Sequence, residues 1–168
     1  MESKIWHKFI ETEKLNGFTV EEINNEAEKR NNNPILYDCA LAVYDFDMPD
    51  FLQTQLQAHS IDVNEPTPRT HQSLLYLAVC KNRIESCKLL IQYGADLNYI
   101  ELDKNLLWWS VFSNASVEIV NIFLRNSTDI NAPVVNFPDA LLIEYAERKS
   151  TSEVVQLLNR ILQRTYLY

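Results

Sequence analysis

Glycine is nearly absent from this chain: 168 residues hold two, Gly17 and Gly94, where average usage of about 7% would supply roughly ten more. Phosphate-cradling loops, dinucleotide-binding turns and nucleophile elbows each need two or three glycines, so most nucleotide-dependent enzyme classes are disfavoured by composition. Cysteine is scarce and odd in number, with three residues and no paired short spacing, which reads as reduced structural thiols. Cys80 and Cys87 fall on opposite sides of a predicted helix break. The three histidines, His7, His59 and His71, lie in separate segments, in no metal-ligand spacing. No GxSxG, CxxC or Walker pattern occurs, so neither a catalytic residue, a metal site nor a cofactor is predicted. No window approaches 18 consecutive apolar residues, which excludes a spanning helix. The polar start MESKIWHKFIETEK has no secretory h-region, and the protein is expected in the cytoplasm.

Basic charge is also short, at 15 Lys+Arg against 23 Asp+Glu, a net charge of −8. The imbalance is uneven. Residues 1–64 carry twelve acids and five bases, and the rest eleven and ten. An acidic front half repels phosphate backbones, so no nucleic-acid partner is expected. A basic protein surface would be attracted, or the charge serves solubility alone. The length fits one domain able to bury roughly 70% of its unfolded surface, without disulfides or metals.

What the chain does have is a repeat. SLLYLAVCKNRIESCKLLIQYGADLN (73–98) returns in degraded form as NLLWWSVFSNASVEIVNIFLRNSTDIN (105–131) and as ALLIEYAERKSTSEVVQLLNRIL (140–162). Glu85, Glu118 and Glu153 lie 33 and 35 apart, and Asn98 and Asn131 lie 33 apart. Each copy carries two short helical periodicities with one apolar face each. Neither face forms a core alone, so the units must stack. An earlier unit runs from 35 to 64 and ends in Asp62-Val63-Asn64, 34 before Asp96-Leu97-Asn98.

These residues resemble the ankyrin repeat. Ser73-Leu74-Leu75-Tyr76-Leu77-Ala78-Val79, Leu89-Leu90-Ile91 and Gly94-Ala95-Asp96-Leu97-Asn98 meet the family pattern in one unit, and the other three keep parts of it. The resemblance implies an all-α helical solenoid over 35–168, with units near 35–64, 65–98, 99–131 and 132–162 and a short tail. Residues 1–34 do not fit. They read as two helices, Lys4 to Leu15 and Val20 to Arg30, split at Asn16-Gly17, the second opened by a Thr19/Glu22 capping box. Their expected role is an N-terminal helical cap with Ile5, Trp6, Phe9 and Ile10 packed inward.

In ankyrin arrays the loops before each unit project as fingers, which with the exposed faces of the first helices form a concave binding surface. Family fingers are usually polar. Here they carry Arg69 and His71, then Tyr99, Ile100 and Leu102, then Val134, Val135 and Phe137. Apolar side chains at projecting tips cost solubility unless a partner covers them; the alternative is that they fold back onto their own hairpins. Phe112 aligns with Cys80 at a usually exposed helix position, while Trp108 and Trp109 align with Tyr76 and Leu77 and read as core. The acidic run Asp45, Asp47 and Asp50 lacks the Gly and Glu that a calcium loop requires at its sixth and twelfth positions, which here are Asp50 and Leu56. It caps a helix or contacts a basic partner. Asn82, Asn114, Ser60 and Ser127 are expected to replace the family's turn glycines.

The resemblance implies a non-catalytic protein-binding module, monomeric by itself. Two roles compete: a neutralising, immunity-type partner that occludes a toxin, and a microbial effector or adaptor delivered into a host cell. A metal-dependent enzyme built on the three aspartates with a histidine around a metal, and a structural homo-oligomer assembled through the fingers, are the outlying readings.

Overall fold

A computed structural model describes residues 3–126 and 139–165. Helix α1 spans Lys4–Leu15, opened by Ser3, whose hydroxyl accepts from the Ile5 and Trp6 amides at 3.2 and 3.4 Å. Gly17, at φ +87°, turns the chain into α2, Val20–Asn32. The Thr19/Glu22 capping box forms in both directions: the Glu22 amide donates to Thr19 Oγ1 at 3.2 Å, and the Thr19 amide to Glu22 Oε2 at 2.8 Å. Helix α2 runs two residues past the predicted Arg30, because Asn33 serves both as its end and as the N-cap of α3, Pro34–Tyr44.

The repeats follow as helix pairs. Helix α3 pairs with α4 (Pro49–Gln57), α5 (Leu74–Cys80) with α6 (Ile84–Gln92), α7 (Leu106–Phe112) with α8 (Val117–Asn126), and α9 (Asp139–Lys149) with α10 (Ser152–Thr165). First helices pack on first helices, α3 on α5, α5 on α7 and α7 on α9, while α4, α6, α8 and α10 stack behind them. This is the all-α two-layer solenoid that the periodicity implies, and its core is continuous from Leu36 through Leu75, Leu90, Val111 and Phe123 to Leu158. Helix α3 is buried on every side from Leu36 to Val43 because the cap covers the face that a preceding repeat would otherwise cover. Ile5, Trp6 and Phe9 form a second cluster with Tyr37 and Leu41, with Ile10 packed against it.

The breaks after repeat helices that lack glycine use left-handed asparagine, as expected, and two other residues besides. Asn82 (φ 56°) and Asn114 (φ 54°) end the first helices of their units, and Asp47 (φ 51°) occupies the equivalent break after α3. At the end of α4 the left-handed residue is His59 (φ 51°) rather than Ser60. The repeat explains this: His59 lies 35 before Gly94 and makes the same closing bond, its amide donating to the Leu56 carbonyl as Gly94 donates to Ile91, each at 3.1 Å. Ser127 lies outside the described residues.

Units are also stitched by polar side chains. Asn64 Oδ1 accepts from the Asp96 amide at 2.8 Å, and its Nδ2 donates to the Gly94 carbonyl at 3.1 Å. Asn82 Oδ1 accepts from the Ser116 amide at 2.8 Å. The repeat acids Glu85 and Glu118, in the first turns of α6 and α8, share the Lys88 ammonium at 3.0 and 2.8 Å.

Candidate protein-binding surface

The finger between the second and third units is a two-residue β-hairpin. Strand β1 (Ile100–Glu101) pairs antiparallel with β2 (Lys104–Asn105), Ile100 opposite Asn105 and Glu101 opposite Lys104. Its turn places Leu102 at φ 49° and Asp103 at φ 60°. Tight hairpins need two left-handed residues, usually Asn-Gly. A leucine there is strained, by about 1 kcal/mol or more. No packing repays it, since Leu102 is 74% exposed, and Ile100 beside it is 56% exposed. Tyr99 instead turns inward: its ring lies 6.3 Å from that of Tyr76, and its hydroxyl donates to Glu101 Oε2 at 2.7 Å. Burial, reinforced by the Glu101 carboxylate, pushes the Tyr99 phenol up to about 12. The finger thus splits, with Tyr99 packed and Ile100 and Leu102 projecting.

Trp109 holds the hairpin against α7, its indole N–H donating to the Glu101 carbonyl at 3.0 Å. Helix α7 buries Leu106, Leu107, Ser110 and Val111 and exposes Phe112, while Trp108 and Trp109 are half-buried, Trp109 packed against the core. Trp108 and Phe112, four residues apart, stack at 4.8 Å with planes 16° apart. Tyr145 of α9 continues the stack at 5.5 Å and 21° from Phe112. The Lys104 ammonium lies 5.7 Å from the Trp108 ring centroid. Tyr145 also lies 6.4 Å from Trp108 with planes 31° apart, so the three rings close into a compact cluster, with Phe112 45% exposed. Trp109 meets Tyr76 and Phe112 edge to face and braces the cluster. Trp108, expected in the core, is half-buried in this cluster.

Arg69 and the acidic run belong to the molecule's own tie between cap and first finger. Arg69 bonds Asp45 at 2.7 Å and Glu26 of α2 at 3.4 Å, and its guanidinium lies 5.1 Å from the Phe9 ring centroid. Glu26 also accepts from the Tyr37 hydroxyl. Burial raises the Glu26 carboxyl, but Lys29 and Tyr37 bonds together with the nearby Arg69 charge outweigh it, so the group titrates below its ordinary value. Asp47 pairs with Arg83 at 3.2 Å. Asp50 sits exposed in the first turn of α4, where the sequence places a helix-capping charge, although Met48 holds the N-cap position and makes no side-chain cap bond. His71, exposed at φ 59°, shapes the first finger, which closes through the Thr67 amide on the Gln72 carbonyl at 2.9 Å. Beside it, a cleft of ≈ 170 Å³ opens between Ala40, Tyr44, Arg69, Thr70 and Leu77. Ile100 and Leu102 thus project from the second hairpin and Phe112 is exposed on α7, while Arg69, Asp45 and Asp47 are engaged in ion pairs elsewhere in the fold. Val134, Val135 and Phe137 lie outside the described residues.

Sequence reasoning missed Tyr145. The 35-residue offset linking Glu118 to Glu153 aligns it with Ser110, which is fully buried. No sequence signal marks it as exposed.

A family model of ankyrin repeats, in three copies, matches residues 39–134. The chain belongs to the ankyrin repeat family. No curated protein matches it. Ankyrin repeats are protein–protein interaction modules, and the match covers the hairpin and α7. The ankyrin array continues structurally past the matched residues, because α9 packs on α7 and α10 on α8 as in the preceding units.

Proposed function

We propose that this ankyrin protein is a non-catalytic binding module that docks one protein partner on the hairpin tip and the ring cluster of α7. The observation that carries this is Leu102, an apolar side chain held in a strained left-handed turn with 74% of its surface in water. Strain without packing points to use by a partner. Ile100 on the same hairpin and Phe112 on α7 are further exposed apolar side chains, and with the charges of Glu101, Asp103 and Lys104 nearby in sequence they match the composition of an interface centre within a polar rim. The stacked helices preorganise it, so docking orders little.

The role that fits a compact, rigid, single-faced module is neutralisation: occlusion of a toxin, as an immunity-type partner. Net charge of −8 steers a basic partner on approach. Asp45 and Asp47 already carry arginines of their own, so contact is made by the apolar surface and charge acts on the on-rate. Capture from the producing organism tests this. A toxin-like partner whose on-rate falls steeply with salt supports neutralisation, and an on-rate flat from low to high salt contradicts it. A partner from a host cell instead would assign the effector role.

A further inference from the structure

Asparagine side chains at the caps and breaks of this fold are tied down: Asn33, Asn64, Asn82 and Asn105 each accept from a backbone amide, at 2.8 to 3.1 Å. Asn16 differs. It is exposed where α1 ends, its side chain makes no hydrogen bond among the described residues, and it is the one asparagine in the sequence followed by glycine. The corner it occupies is a Schellman turn, in which the Phe18 amide donates to the Glu13 carbonyl at 2.9 Å and the Gly17 amide to the Lys14 carbonyl at 3.2 Å. Gly17 has φ +87°, and nothing lies within 4 Å of where its Cβ would stand.

We infer that Asn16 is a site of spontaneous deamidation, with the Gly17 backbone nitrogen as nucleophile and water as the only co-reactant. This is independent of the docking face. The Gly17 nitrogen bonds to the Asn16 Cγ while the Cγ–Nδ2 bond breaks, and ammonia leaves with the proton that the nitrogen gave up. Water then opens the resulting five-membered imide at either carbonyl, leaving an aspartyl or an isoaspartyl residue. One water is consumed, one ammonia is released, and nothing is oxidised or reduced. Any side chain on the attacking residue would crowd the ring closure, and glycine has none and rotates freely. Closure requires rotation about the Asn16 Cα–C bond from ψ −1° and release of the Gly17 bond to Lys14. Only a frayed last turn has to open for this, because Lys14, Leu15, Asn16 and Gly17 are all exposed, Leu15 by 88%. Either product places a carboxylate at the negative end of the α1 dipole, three residues after Glu13. The isoaspartyl form also adds a methylene to the main chain inside the Schellman turn. Ile5, Trp6 and Phe9, which anchor α1, lie seven residues or more before Asn16, so the corner loosens while the cap stays docked.

The test ages the full chain at neutral pH in heavy-oxygen water, beside the Asn16→Gln variant and the free peptide Ac-Glu-Lys-Leu-Asn-Gly-Phe-Thr-NH2. Glutamine is one carbon too long to close the five-membered ring. Peptide mass mapping should show the Asn16 fragment gaining about three mass units, an amide exchanged for a heavy hydroxyl, and separating into aspartyl and isoaspartyl forms. Its conversion should be at least about tenfold faster than that of any other asparagine, and Asn16→Gln should show no change at this position. The aged protein should exchange amides faster over residues 13–20, with α3 unchanged. An Asn16 that stays intact after the free peptide has fully converted would overturn the proposal, because the Schellman turn would then protect it. Conversion spread evenly over the asparagines would overturn it as well. Conversion at Asn16 with unchanged exchange over residues 13–20 would overturn the loosening of the corner.

Discussion

Trp108 and Phe112 lie one helical turn apart on α7 with their rings stacked at 4.8 Å, yet the repeat, offset by 32 residues at this helix, aligns them with Tyr76, 8% exposed, and with Cys80, half-buried between Tyr76 and Ser113. The same helix face is therefore more deeply covered in one unit than in the next, where Phe112 is exposed. In the latter unit the Lys104 ammonium and the Trp109 bond to the Glu101 carbonyl support the ring cluster from the hairpin side.

At the hairpin tip, Leu102→Asn should raise stability while weakening partner binding. Asparagine tolerates the left-handed region, so relief of about 1 kcal/mol is expected, a rise in thermal midpoint of about 2–4 °C for a chain of this size. Calorimetry of the free protein checks the first part and titration with the captured partner the second.

The cap is fastened by Arg69, whose guanidinium joins Asp45, Glu26 and the Phe9 ring with its side chain 22% exposed. Arg69→Ala takes the cation from Asp45 and leaves Glu26 with Lys29 and Tyr37, and with the ring contact also gone a loss of about 1–2 kcal/mol follows. Urea denaturation measures it. Faster amide exchange confined to α1 and α2 would locate the loss at the tie.

Acid and alkali act on different groups. Glu26 titrates below its ordinary value in the folded protein, so its contribution is present above the unfolded value near 4.5 and is lost as pH falls through the folded one. Glu26→Gln should flatten that limb of the stability profile. On the alkaline side, burial pushes the Cys39 and Cys87 thiols up to about 12 from 9, and Tyr99 up to about 12 from 10. Their contribution is complete below the unfolded values and should drain away between about pH 9 and 12. Denaturation midpoints across that range check the slope.

The two turn asparagines should separate. Both are left-handed, but among the described residues only Asn82 bridges units, accepting the Ser116 amide at 2.8 Å. Glycine keeps the conformation at either site. Asn114→Gly should be within about 0.5 kcal/mol of wild type, whereas Asn82→Gly should lose about 1 kcal/mol or more with its hydrogen bond. Parallel melts of the two variants decide it.

Periodicity made the solenoid legible, because stacking is the way two short amphipathic helices find a core, and the capping box and the inward Ile5, Trp6 and Phe9 could be read from spacing. The binding face was legible only in part. Ile100, Leu102 and Phe112 stood out as apolar residues at family positions that normally face water. Arg69 did not reveal that its partners are Glu26 and Asp45, 43 and 24 residues away in sequence. Long-range charge pairing leaves no periodic trace. Trp108 was hidden by its alignment with buried Tyr76, and Tyr145 by its alignment with Ser110.

The central claim is that a protein partner docks on the second hairpin and α7. Hydrogen-exchange footprinting of the captured complex, run beside the Ile100→Ser/Phe112→Ala variant, tests it most directly. The account predicts protection over residues 99–112 and at Tyr145, and binding at least about tenfold weaker in the variant, with its thermal midpoint within a few degrees of wild type. Protection on α4, α6 and α8 instead, with full affinity in the folded variant, would contradict it.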